Sequence, residues 1–139
     1  MRLHHVQVAC PRGGEGGARR FYGEGLGLQE VPKPAELAGR GGCWFRALDA
    51  AGAVTAELHV GVEDPFAPAR KAHPALLLEA GPDGAPPPTV DELAARLEGL
   101  GFEVDLAERA TFPGYERLHS FDAAGNRVEV LRAWERPAR

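Results

Sequence analysis

The chain has 139 residues, 44% of them hydrophobic, which suffices for one compact unit with its own core and no need of disulfides. A formal net charge of -4, a pI near 5.7 and the absence of any run of lysines or arginines exclude nucleic acid as the main partner. No apolar stretch reaches the length of a membrane span, nothing at the N-terminus resembles a signal peptide, and Cys10 and Cys43 lack metal-type spacing; the expectation is a cytoplasmic protein with reduced thiols and no membrane contact.

Residues 3–9 alternate and are rich in branched side chains, which predicts a strand with Leu3, His5, Gln7 and Ala9 on one face. A flexible glycine-rich loop over 11–17 leads to a short helix over 18–22, closed by Gly23, Gly25 and Gly27. A short strand follows at 28–31, Pro32 and Pro34 stop it, and 35–42 reads as a mobile loop. Two strands, 43–47 and 54–60, flank a turn at 49–52. Residues 63–72, with Pro65 and Pro68, read as a linker. The next strand, 73–79, tolerates Pro74 only near its start. Thr89 and Glu92 have the spacing of a capping box, and Val90, Leu93, Leu97 and Leu100 then form one apolar helical stripe. Strands at 102–106, 115–121 and 126–131 complete the chain, the last two joined by turn residues 122–126. The order is βαβββ, twice, an α+β arrangement.

The repetition extends to individual residues. His5 and His73 are 68 positions apart, Glu57 and Glu129 are 72 apart, and Leu26-Gly27 recurs as Leu100-Gly101 after 74. A unit of about 70 residues is therefore written twice, each copy opening with a histidine strand and ending with a glutamate strand. The boundaries are module one at about 1–62, the linker at 63–72 and module two at about 73–133, within a single domain over 1–139. Two imidazoles and two carboxylates from equivalent strands make a borderline-hard donor set, so His5, Glu57, His73 and Glu129 are the expected ligands of a divalent ion: Zn, Ni, Co, Mn or Fe(II). Glu129 or Glu57 is the expected general base. His59 lies on the same strand face as Glu57 and stands as an alternative ligand, an outer-sphere partner or, preferably, a pocket residue. His119 is expected to line the same cavity, and strand parity adds Gln7, Cys43 and Arg117 to its wall. The glycines at 13–17 lack the pattern of a phosphate loop or dinucleotide fingerprint, so no nucleotide is expected.

With these residues in place, the chain resembles the vicinal oxygen chelate superfamily, which includes glyoxalase I, bleomycin-resistance proteins, fosfomycin-resistance enzymes and extradiol dioxygenases. The resemblance rests on the opening Leu-His-His-Val strand, Phe21-Tyr22 followed by Leu26-Gly27-Leu28, Ala56-Glu57-Leu58, His73, and Gly125-Asn126-Arg127-Val128-Glu129. It implies two βαβββ modules forming a cupped, barrel-like mixed sheet with helices outside, and places His5, Glu57, His73 and Glu129 where glyoxalase I has its ligands. It further implies a homodimer and a small oxygen-chelating substrate, handled by a lyase- or isomerase-like enzyme through a metal-stabilised enediolate. The alternatives are a metal-free drug-binding protein of the bleomycin-resistance kind and an iron protein of the extradiol-dioxygenase kind.

Overall fold

The computed structural model describes residues 1–134; residues 135–139, the end of the expected domain, lie outside the described residues. The alternating segments pair into two four-stranded mixed sheets of identical topology. The first joins β1 (Val6–Cys10), β2 (Gln29–Val31), β3 (Cys43–Leu48) and β4 (Val54–Val62) in the order β1-β4-β3-β2. The second joins β5 (Ala75–Leu77), β6 (Val104–Asp105), β7 (Tyr115–Phe121) and β8 (Arg127–Ala133) in the order β5-β8-β7-β6. In each, the opening strand runs parallel to the closing one, which the intervening helix makes sterically possible. The sheets are cupped and strand pairing does not close them into a barrel; β1 and β5 end their respective sheets.

Each sheet buries one face against helices. Val8, Cys10, Phe45, Leu58 and Val60 meet Phe21 and Tyr22, while Leu118, Val128 and Val130 meet the stripe Val90, Leu93, Ala94 and Leu97 of α3 (Val90–Gly99). The capping box is formed: the Thr89 hydroxyl accepts from the Glu92 amide, and the Glu92 carboxylate accepts from the Thr89 amide. The first helix departs from expectation. It begins inside the glycine-rich loop, at α1 (Glu15–Ala18), and continues as a π-helical segment, Arg19–Gly25, whose end is marked by the Leu26 amide donating to the Phe21 carbonyl at 2.9 Å. Burial of Ala18, Phe21 and Tyr22 outweighs the cost of Gly16 and Gly17 in a helix. Gly25 lets the two helices meet, since a side chain there would stand 2.8 Å from a Leu97 methyl. Part of the expected 35–42 loop is a helical turn, α2 (Ala35–Ala38), preceded by Pro34. The strand expected at 73–79 is confined to 75–77, leaving His73 ahead of it.

A buried polar network connects the halves. The Tyr22 hydroxyl donates to Asp122 Oδ2 at 2.7 Å, and Asn126 Nδ2 donates to the same oxygen and to the Ala9 carbonyl in β1. Asn126 Oδ1 accepts from the amide of Ala69 in the linker, whose carbonyl accepts from the Arg127 amide. The turn at 122–126 thus holds β1, the first helix and the linker together. Burial, reinforced by the nearby Asp122 charge, pushes the Tyr22 phenol well above its usual range and keeps it a donor. Both cysteines are free and buried. Cys43 is 2% exposed in the core beside Phe45, on the sheet face opposite Trp44 and Arg46, so the strand-parity expectation of a pocket-wall Cys43 is corrected.

Asn126→Ala strands the Ala9 carbonyl and the Ala69 amide at once, and is expected to lower the unfolding free energy by about 3 kcal/mol in urea titrations; Tyr22→Phe costs about 1–2 kcal/mol. Burial raises the Cys10 thiol, and raises Cys43 from 9.0 to about 11. Because the folded state holds these protons more tightly than the unfolded chain, both stabilise it at neutral pH, and the contribution of Cys43 is fully present below pH 9 and lost as pH rises toward 11. Native protein at pH 8 is therefore expected to react with a thiol reagent only as fast as it opens, and both thiols to react at once in denaturant.

Candidate metal centre

On the face of each sheet turned away from the helices, the closing strand carries a glutamate at the same place, and its neighbours follow from register. In β8, Glu129 lies opposite His119 of β7 and beside Ala75 of β5, with His73 two residues earlier. In β4, Glu57 lies opposite Arg46 of β3, and His5 immediately precedes β1. The residue facing the glutamate across the hairpin is therefore a histidine in one module and an arginine in the other.

In the second module this brings three donors together. His73, His119 and Glu129 each offer a ligand atom within 4.8 Å of the others, the one such group of three among the described residues. His73 Nδ1 lies 2.8 Å from the Lys71 carbonyl, which can only accept, so Nδ1 carries a proton. The opposite nitrogen, Nε2, faces Glu129 Oε2 at 3.2 Å. A lone pair facing a carboxylate is satisfied by a shared proton or by a cation, and a backbone carbonyl on the far nitrogen is the usual support of a ligating imidazole. His119 is 3% exposed; its Nδ1 has no hydrogen-bond partner among the described residues, and its Nε2 stands 3.8 Å from Glu129 Oε1, too far for a hydrogen bond. Burial, with Arg127 nearby, depresses the His119 imidazole and keeps its lone pair available. Burial alone would raise Glu129, but hydrogen bonds from Arg117 and His73 outweigh it and hold the carboxyl below its ordinary range. Two imidazoles and one carboxylate with an orphaned buried ring nitrogen fit a divalent first-row metal.

The first module is arranged differently. Glu57 Oε2 accepts from Arg46 Nε at 2.7 Å and Glu57 Oε1 lies 2.8 Å from His59 Nε2, and these two hydrogen bonds, that from His59 first, hold the carboxyl below its ordinary range. His59 is depressed by burial, which outweighs the pull of Glu57; it is sandwiched between Trp44 at 3.7 Å and His5 at 4.2 Å between ring centroids. His5 is exposed, with Nδ1 3.0 Å from the Nδ1 of His4. Gln7 is exposed on the same strand face and lies against Gly61. Of the four residues singled out by the repeat, His73 and Glu129 are in direct contact, while His5 and Glu57 border one cavity and each touches His59. A cavity of about 630 Å³ borders His5, Arg46 and Glu57, with apolar side chains such as Leu26, Leu28 and Leu76 and further polar ones such as Gln29, Thr55 and Arg96 in its wall; His73, His119 and Glu129 do not line it.

His119 is the member of the triad that sequence reasoning placed only on the cavity wall. The signal was present in the tight turn at 122–126, which pairs Phe121 with Arg127 and so places His119 opposite Glu129.

Two sheets of order β1-β4-β3-β2, repeated, with histidine and glutamate on their polar faces, define the fold of the vicinal oxygen chelate superfamily. A glyoxalase family protein from Bacillus anthracis is 40% identical, with a TM-score of 0.72, covering 96% of this chain and 100% of that one. The chain therefore belongs to this superfamily and, within it, to the glyoxalase family. A glutamate-to-glutamine variant of the fosfomycin resistance protein FosX from Listeria monocytogenes, complexed with Mn(II) and 1S,2S-dihydroxypropylphosphonic acid, is 17% identical with a TM-score of 0.65, covering 96% of this chain and 92% of that one. An antibiotic binding protein from a Streptomyces species is 20% identical with a TM-score of 0.59, covering 96% and 99%. No protein-family model and no curated protein sequence matches the chain. No helix among the described residues is long and apolar enough to cross a membrane.

Elemental analysis of protein purified without an affinity tag is expected to find near-stoichiometric divalent metal that disappears in His73→Ala and His119→Ala and persists in His5→Ala. Loss in His5→Ala with retention in His119→Ala would define the ligands as the four residues of the repeat instead.

Proposed function

We propose that the protein is a metal-dependent enzyme of the glyoxalase type, acting on a small substrate with adjacent oxygens as a lyase or isomerase. The observation that carries this reading is the convergence of His73, His119 and Glu129, each of which offers a ligand atom within 4.8 Å of the others. A divalent ion held there supplies Lewis-acid stabilisation of negative charge on adjacent substrate oxygens. The support for Mn, Zn, Ni, Co or Fe(II) is the donor set alone, together with the Mn(II) complex of a structural neighbour.

The two glutamates then divide the work. Glu129 belongs to the ligand set, and the hydrogen bond from Arg117 helps keep it ionised for that role. Glu57 stands outside the triad, is also held ionised, and is the carboxylate we assign to accept a proton from the carbon next to a substrate carbonyl. His59, gripped between two rings, fixes the orientation of Glu57. In one chain the two glutamates lie in different sheets, so we assign the protein as a cytoplasmic homodimer in which the Glu57 face of one copy meets the triad of the other.

A second reading has its own support. Glu57 already carries its counter-ion in Arg46, the cavity beside it is largely apolar, and one structural neighbour is an antibiotic binding protein. On that reading the chain sequesters a small molecule without a metal.

The test is a substrate screen of metal-loaded protein beginning with α-ketoaldehyde–thiol adducts. Turnover is expected to need the metal; Glu57→Gln is expected to keep the metal and lose turnover by about 100-fold or more, whereas Glu129→Gln loses both. Sedimentation is expected to give twice the 14.8 kDa chain mass. Antibiotic binding that survives chelator and Glu57→Ala, with no turnover of any adduct, would establish the second reading.

A further inference from the structure

Arg117 makes more directional contacts than any group around the triad needs for simple charge balance. Its Nη1 donates to Glu129 Oε1 at 2.9 Å. Its Nε donates to the Glu108 carbonyl at 3.0 Å, and its Nη2 donates to Glu108 Oε2 at 3.1 Å and to Thr111 Oγ1 at 2.5 Å. The guanidinium also lies 5.6 Å from the centre of the Phe112 ring, and its side chain is 17% exposed. One planar cation therefore joins a carboxylate of the triad to the connection between β6 and β7, residues 106–114, through four hydrogen bonds.

The contact with Glu129 has a geometric consequence. Oε1 accepts from Arg117 and stands 3.8 Å from His119 Nε2, so the carboxylate cannot rotate freely, and Oε2 is the oxygen turned toward His73. We infer that Arg117 is a positioning residue: it selects the oxygen of Glu129 that faces a divalent cation at His73, His119 and Glu129, and its grip on Glu108 and Thr111 holds the guanidinium in the orientation that does so. The inference rests on the metal reading above. It gives the 106–114 connection a role in metal affinity although no residue of that connection belongs to the ligand set.

Charge and orientation predict opposite signs here, which makes the role measurable. If Arg117 acted only as a positive charge beside the ion, removing it would tighten metal binding. If it positions the ligand, removing it weakens binding, as loss of outer hydrogen-bond partners of metal ligands does, by about 10- to 100-fold. Arginine is required because its rigid fork reaches several acceptors in one plane; a lysine keeps the charge and loses the fork.

The experiment is titration of metal-stripped wild type, Arg117→Ala, Arg117→Lys, Thr111→Val and His73→Ala with Mn(II), reading free Mn(II) by electron paramagnetic resonance, with urea unfolding of each variant in parallel. The expected result is a 10- to 100-fold loss of affinity in Arg117→Ala, no recovery in Arg117→Lys, and a loss of a few-fold in Thr111→Val, which leaves the arginine and Glu129 intact. Should Arg117→Ala fail to fold, Arg117→Lys and Thr111→Val decide the matter. Affinity equal to or tighter than wild type in the folded variants overturns the positioning role while leaving the metal site standing. Wild type that binds Mn(II) no better than His73→Ala overturns the metal reading, and this inference with it.

Discussion

The constraint on which the molecule depends is the satisfaction of Asn126, a fully buried amide at the tip of the last hairpin. Its two ends cannot find water, so each must find a fixed partner, and the partners come from three different stretches of chain: Ala9 in β1, Ala69 in the linker and Asp122 in its own turn. Asp122 in turn receives the Tyr22 hydroxyl from the first helix. The apolar core would hold many relative placements of two similar sheets, because hydrophobic burial has no preferred direction. The directional bonds of Asn126 and Asp122 choose one.

The two modules solve one electrostatic problem in two ways. Each places a glutamate in the middle of its closing strand, on the polar face and largely out of water, where an ionised carboxylate needs a partner. In the first module the partner across the hairpin is Arg46, a permanent cation. In the second it is His119, which burial keeps neutral, and the nearest charge comes from Arg117, two residues away in the same strand. A single cross-strand position thus decides whether the glutamate faces an arginine or an imidazole, although each carboxylate has an arginine partner.

The fold was legible in the sequence because its signals are local. Alternation of residue types, the Thr89–Glu92 capping box and the turn at 122–126 each announce an element within a few residues, and the repeat of histidine and glutamate announces the topology. What escaped was of two kinds. The helix across Gly16 and Gly17 runs against glycine's propensity and forms because the aromatic pair Phe21 and Tyr22 needs to be buried, a tertiary effect that no short window contains. Which side chains stand beside each glutamate was hidden for another reason: spacing along the chain aligns the histidines and glutamates of the repeat, whereas sheet register decides that His119 faces Glu129 and Arg46 faces Glu57. In the second hairpin the register is regular and His119 could have been placed opposite Glu129. In the first, a bulge between Ala47 and Leu48 shifts the pairing, so counting back from the turn would have missed Arg46 as the partner of Glu57. Cys43 failed for the same reason, parity being countable only from a known register.

The seam between the modules has a mechanical consequence. Duplicated domains joined by a short connector commonly swing about it, but here the connector is fastened at Ala69 by both its amide and its carbonyl to the final hairpin, and β1 is fastened to the same hairpin. Rotation of one sheet against the other would have to rupture buried hydrogen bonds that no solvent replaces. The pair of sheets therefore behaves as one rigid frame, and any widening of the site to admit a molecule is confined to the connections that the frame carries at its rim.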